Sequence, residues 1–335
     1  MFKILQYGAV MLLIVLVALA YGRSQQVYRL LRKIKLGMHP LWEFMAVDWL
    51  RRRLLLSQDR KLRVIDMDRD EVVSDIEFSS PVYGVALAEP LGNGFVCHRA
   101  ENAISVFELS SLRVIGRIED VGAEPESLLY DVHSGRLFAF NSRGRLLTVI
   151  DPVQQAVTAI LPLPGPVVWA AGNESGGLYI LTSHTDQLLL VDTTTCAIVR
   201  YRTPVLGEAP GGMAFDHGRR LLFYAYDSRL MVVDVDEDEE VAIVPIGNHP
   251  GTVIYDPENA LLCVANGEGH ITIIKQLERH EYKVVQRMGT QTGCRMMMMD
   301  ALTKKLYLPA QQYLSSRKPV PNSFELLVFE KKPEV

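Results

Sequence analysis

The 335-residue sequence predicts an all-β fold: a seven-bladed β-propeller of four-stranded antiparallel blades, closed by an N-terminal strand in the last blade. Three observations carry the prediction. Seven apolar runs end in an acidic residue or its substitute, at Asp66, Glu108, Asp151, Asp192, Asp234, Lys275 and Glu330. Their spacings of 42, 43, 41, 42, 41 and 55 residues lie in the range of propeller blades. Each unit also holds short runs rich in Val, Ile, Leu and aromatics, parted by Gly, Asn, Asp or Pro, with almost no helical periodicity. Finally, six units hold four such runs and the seventh holds three, because only "KKPEV" follows Glu330.

Taken from the N-terminus, "MFKILQYGAVMLLIVLVALAYGRS" places Lys3 before an uncharged apolar run from Tyr7 to Tyr21. Ala18-Leu19-Ala20 is a small-x-small pattern that would direct cleavage before Tyr21. At about 15 residues the run is short of the ~20 that span a bilayer upright. Residues 1–22 therefore read as an export signal or, if uncut, a membrane anchor. Arg23, Arg29, Arg32, Lys33 and Lys35 follow closely, which is unusual just after a cleavage site. Residues 23–335 read as a single propeller domain, exported to the periplasm or cell envelope, monomeric, and touching membrane only through its N-terminal segment.

The first run of each unit follows a turn: "HPLWEF", "SPVYGVAL", "EPESLLYD", "GPVVWAAG", "APGGMAFD", "HPGTVIYD" and "GCRMMMMD". Proline suits that place because it fixes φ and needs no ladder partner at a strand entrance. Second runs such as "RLLLS", "GFVCH", "RLFAFN" and "LLCVAN" follow, then the acid-ending third runs, then fourth runs such as "EVVSDIEF" and "EVAIVPIG". The strand missing from the seventh unit is supplied by Val27–Leu36, antiparallel to Phe324–Glu330. Pairing the two ends removes two free sheet edges, and the basic residues of that strand would guard its outer edge.

Composition narrows function only by exclusion. A formal charge of −4 gives no global case for nucleic acid or an anionic membrane; either would need a local basic patch. The four cysteines are far apart with no CxxC pair, unlike a zinc site or a disulfide scaffold. Cys263 and Cys294 fall in neighbouring units.

"HPGTVIYDPENALLCVAN" (His249–Asn266) resembles the YVTN-type repeat, with Pro at one turn, Asp-Pro at the next, then Cys-Val-Ala-Asn. The Trp-Asp and Gly-His signatures of WD40 blades are absent. The last unit, with an extended loop before "VPNSFELLVFEK", is similar to the closing blade of bacterial exported YncE-like propellers, and the resemblance runs from about Val27 to Lys331. It implies an exported seven-bladed propeller of uncertain role, some members having proposed nucleic-acid or surface binding, with no family-wide catalytic residue. The usual Gly-Ala-Arg before the last inner strand reads Gly293-Cys294-Arg295 here.

In an up-and-down meander, the entries to the first strands share one face with the turns between second and third strands. That first face carries His39, His98, His184, His249 and His270, together with Glu124, Arg143, Arg317 and Lys318. It also carries the insertion 311–322, which accounts for the 55-residue spacing. Loops carry function disproportionately, so this is the expected recognition face, for a protein, glycan or anionic ligand. The plainer reading of its histidines is as turn residues. His39 and His249 could share a metal only if both reached the axis, and no metal or cofactor is expected.

On the opposite face, Asp66-x-Asp68-x-Asp70 and Asp234-x-Asp236-x-Asp238 have the acidic spacing of a calcium loop but lack its glycine at position six. "RMMMMD" reads as core packing rather than a soft-metal site. No nucleophile elbow, HExxH, P-loop or dinucleotide fingerprint is present. The expected function is a binding or interaction module. The alternatives are a lactonase- or lyase-like enzyme at the axial pocket, or an accessory protein of a redox or metal system.

Overall fold

The computed structural model describes residues 26–37, 44–141, 143–183, 187–202, 210–314 and 318–333. It contains seven four-stranded antiparallel sheets, arranged as a seven-bladed propeller. Blade 1 comprises Met45–Asp48, Arg53–Gln58, Lys61–Asp66 and Glu71–Glu77. Blade 2 comprises Val85–Ala88, Asn93–His98, Ala103–Glu108 and Val114–Ile118, and blade 3 Ser127–Asp131, Arg136–Asn141, Leu146–Asp151 and Ala156–Pro162. Blade 4 comprises Val167–Gly172, Gly177–Thr182, Leu188–Asp192 and Ala197–Arg202, and blade 5 Pro210–Asp216, Leu221–Tyr226, Arg229–Asp234 and Glu239–Pro245. Blade 6 comprises Pro250–Asp256, Leu261–Asn266, His270–Glu278 and Glu281–Gly289. Among the described residues no helix is long and apolar enough to cross a membrane.

Blade 7 closes the ring as expected. Its inner strands Met298–Met299, Leu306–Ala310 and Phe324–Lys331 are completed by Tyr28–Gly37, paired antiparallel from Tyr28↔Lys331 to Gly37↔Phe324. Tyr28, Ile34 and Leu36 turn inward and are buried. The basic residues do more than guard an edge. Arg29 and Lys33 pair with Glu330 and Glu325 on the neighbouring strand, and Arg32 donates to the Arg69 and Asp70 carbonyls of blade 1.

Two inner strands differ from the sequence reading. In blade 1 pairing starts at Met45, beyond "HPLWEF", most of which lies outside the described residues. In blade 7 only Met298 and Met299 pair with the next strand. The backbone just before them is engaged elsewhere: the Arg295 carbonyl accepts from Thr252 N, and Met297 N donates to the Thr252 hydroxyl of blade 6.

The core lies between blades. Seven buried clusters each straddle one blade–blade boundary, including the 7–1 boundary. One sheet face cannot bury itself, so each blade supplies half of two cores. The methionine run shows the alternation expected of a strand. Met297 and Met299 pack toward blade 6, Met296 and Met298 toward blade 1. Cys263 and Cys294 share the 6–7 core, and the four cysteines form no disulfide with one another.

Polar latches tie neighbouring blades. Arg52 Nη1 and Nη2 donate to the two oxygens of buried Asp300 at 2.7 and 2.6 Å, joining blade 1 to blade 7. Burial alone would raise the Asp300 carboxyl, but hydrogen bonds from Arg52, Thr303 and the Leu302 amide hold it at about 2. The acidic triplets have similar structural duties. Asp66 and Asp234 each accept two backbone amides of their own turn. Asp70 is buried against Lys305 Nζ at 2.7 Å and the Tyr307 hydroxyl at 3.0 Å. Among the described residues no group of three or more His, Cys, Asp or Glu is placed to hold a metal.

Candidate recognition face

The expected first-face residues resolve into three groups and three positions without description. His39, His184 and Arg317 lie outside the described residues.

His98 leaves the recognition face. It is buried, with Nδ1 2.9 Å from Ser80 Oγ and Nε2 2.7 Å from Ser105 Oγ. Burial pushes its pKa down, with Arg117 adding to the effect, so the ring is held neutral. The reason is positional. His98 ends the second strand of its blade, as Asn141 and Asn266 end theirs. Asn141 donates to the Val121 and Ala123 carbonyls, and Asn266 accepts from Gly247 N. Asn141 and Asn266 thus pin the backbone of the turn that enters the inner strand of their own blade, whereas His98 bonds the hydroxyl of Ser80 in the corresponding turn and that of Ser105.

Glu124 and Arg143 do come together, at the blade 2–3 boundary. Arg99 and Arg143 both approach the Glu124 carboxylate, at 3.2 and 3.1 Å. Arg99 also lies 5.8 Å from the centroid of the Tyr83 ring. An acid held between two guanidiniums is spent as a charge, and this cluster presents mainly the exposed Arg143.

The third group, on blades 6 and 7, is the most open. His249 and Asn248 are exposed, and with Asp227 and Glu268 they line a cleft of about 420 Å³. Glu268 accepts from Asn248 Nδ2 at 2.7 Å and stands 3.2 Å from His270 Nδ1. The Asn248 bonds lower the Glu268 pKa, and burial lowers that of His270. Gly267 gives this patch its tight floor: a Cβ there would lie 3.1 Å from the His249 carbonyl and 3.2 Å from Arg295 Cγ.

Arg295, at the same place, was not among the expected site residues. Its Nη2 donates to the Pro250 carbonyl at 2.8 Å. The side chain is exposed yet enclosed enough that burial lowers its pKa, and no carboxylate pairs with it among the described residues. The signal for it lay in Gly293-Cys294-Arg295. Beside it the insertion closes over Gly293, where a Cβ would lie 3.8 Å from the Tyr313 ring.

The insertion is an ordered hairpin at its base. Tyr313 bridges Pro319, Leu314 N donates to the Lys318 carbonyl, and Val320 N donates to the Gln312 carbonyl. Buried Gln311 donates to the Val320 carbonyl and to Ser323 Oγ from below. Tyr313 and Leu314 are 47% and 53% exposed, and Lys318 is exposed beside them.

No family model matches the chain, and no curated protein matches it in sequence. Solved structures do match in fold. A chain in the crystal structure of the mitotic checkpoint complex superposes with a TM-score of 0.76 at 12% identity, over 91% of this chain and 92% of that one. A chain of the Kuenenia stuttgartiensis hydrazine synthase superposes with a TM-score of 0.68 at 14% identity, over 84% and 94%. Identities this low speak for architecture alone: what this chain shares with both is the β-propeller.

Proposed function

We propose that the chain is an exported propeller that binds a partner through the blade 6–7 patch of its first face, and that the partner offers an anionic group to Arg295 beside Tyr313. The observation that carries this is Arg295: an accessible guanidinium in a recessed setting, bonded to a carbonyl and, among the described residues, matched by no acid. Such a group is a ready partner for a carboxylate, phosphate or sulfate. Tyr313 adds an amphipathic ring of the kind enriched where proteins and glycans are bound, and Lys318 adds charge at the rim. Support for export is the N-terminal segment, and support for the YncE-like group is the YVTN-type unit of His249–Asn266 with the extended loop of the last blade.

The test is capture from an envelope extract by wild type and by the Arg295→Gln and Tyr313→Ser variants, with ligand identity read by mass spectrometry. The expected result is a species retained by wild type and lost by both variants while their melting curves stay unchanged. Capture that is identical in all three sinks the assignment of the patch. A second reading, acid–base catalysis, is favoured by His270 and Glu268, 3.2 Å apart beside the 420 Å³ cleft. Turnover of a lactone or acidic sugar that disappears in His270→Gln would select it.

A further inference from the structure

The second face, formed by the opposite set of turns, is uneven around the ring. Trp49, Leu50, Val132, Val153 and Leu302 project from the turns of blades 1, 3 and 7 and are 41–74% exposed. Pro90 of blade 2 is exposed among them. Trp49, Leu50, Pro90 and Val132 line one open cleft of about 500 Å³. These tips make an arc over four consecutive blades, 7, 1, 2 and 3. Blades 4 and 5 place no exposed large apolar side chain in their second-face turns among the described residues. Blade 5, across the ring, instead carries Asp234, Asp236, Glu237, Asp238 and Glu239, all but the first exposed.

Where the chain enters the propeller bears on what covers this arc. Tyr28 pairs with Lys331, and Lys332 N donates to the Val27 carbonyl. The N-terminal end of the closing strand therefore lies on the second face, in blade 7. The uncharged run Tyr7–Tyr21 precedes it, separated from Gln26 by four residues, Gly22 to Gln25. Even fully extended, that connection reaches at most about 18 Å. A lipid-inserted run thus holds the second face close to the bilayer, with blade 7 nearest.

We propose that this arc is a bilayer-contact surface, engaged when the N-terminal segment is retained, so that the first face is turned away from the membrane. Trp and Leu at exposed tips suit the interfacial zone, where an amphipathic ring and aliphatic ends are both favoured. The charges agree with a tilted seating. Within the arc most are already paired, as in Arg53–Asp48, Arg52–Asp300 and Lys305–Asp70. Exposed Arg69 stands on the same side. The acidic turn of blade 5 lies on the far side: Asp234, Asp236 and Asp238 are paired with Arg279, Arg220 and Arg202, and exposed Glu237 and Glu239 stand away from headgroup phosphates. A protein ligand would explain the apolar tips, but not their sharing a face with the leader's point of exit.

The test uses the full chain in phosphatidylcholine vesicles with and without brominated acyl chains, reading tryptophan emission. The expected result is quenching by the brominated lipid that falls at least about threefold in Trp49→Phe and in the Leu50→Asp/Leu302→Asp double variant. Melting curves verify that both variants remain folded. Quenching equal to wild type in either variant overturns the proposal. So does a chain recovered from cells beginning at Tyr21, or a photo-crosslinker at Leu302 that yields a discrete protein adduct in cells.

Discussion

Replacing Arg52 with methionine removes one partner of the latch that joins the first and last blades while keeping most of the aliphatic stem. Asp300 is then left buried with its charge and without its guanidinium. A carboxyl held at about 2 against an ordinary 3.8 corresponds to about 2 kcal/mol of stability at neutral pH. Removing one member of a fully buried pair costs about 3–5 kcal/mol, but the Arg52 side chain is 19% exposed, and water can replace part of the loss. The expected destabilisation is about 2–3 kcal/mol at pH 7. Asp68, 61% exposed, adds little. The pH dependence gives the sharper test. Because the folded value of Asp300 is depressed, its contribution is complete above about pH 4 and lost as pH falls through 2. The gap between wild type and Arg52→Met should therefore shrink by about half at pH 3. Urea unfolding at both pH values, followed by circular dichroism, measures it. A gap below about 0.5 kcal/mol at pH 7, the size of a surface pair, or one that does not change with pH, would refute the latch.

Three further outcomes follow from the same contacts. A chain beginning after Leu36 should aggregate, because it loses the buried Tyr28, Ile34 and Leu36 and exposes the edge of Phe324–Lys331, whereas one beginning at Tyr21 should melt like the full chain; equal melting of the two would disprove closure. Gly251→Ala should cost about 2 kcal/mol, since its Cβ would fall 2.1 Å from the Arg295 carbonyl, while Gly289→Ala, with nothing within 4 Å, serves as the neutral control in the same thermal melts. His98 should stay neutral below the ordinary imidazole value in an NMR titration, and stability should decline as pH drops below about 6.5, where the unfolded chain takes up the proton first. His98→Asn, which copies blades 3 and 6, should make that decline shallower, with His270 and the depressed carboxyls keeping the rest of it, and an ordinary titration of His98 would show the burial argument to be mistaken.

The order of the blades, their seven-fold count and the closing strand were legible in the sequence because they are local or periodic properties. Alternating apolar runs must pair, a 42-residue grammar must stack, and the strand absent after Glu330 had a matching run at Val27–Leu36. The pairing of Arg29 and Lys33 with Glu330 and Glu325 was not legible, since it depends on register between residues some 300 positions apart. Nor was the sorting of the candidate site. His98 and His249 look alike as polar residues at first-face turns, yet one ends a strand and is buried against two serines while the other rides an exposed turn with φ of 53°. Arg295 and the apolar arc escaped for the same reason: enclosure without an acid, and adjacency of tips from blades 7, 1, 2 and 3, exist only once the ring has closed. The sequence by itself determined which segments become strands, because hydrophobic period and turn residues act over a few positions. Only the tertiary structure decided which loops meet and which side chains keep access to water, because burial is set by neighbours that lie one blade away in space and forty or more residues away along the chain.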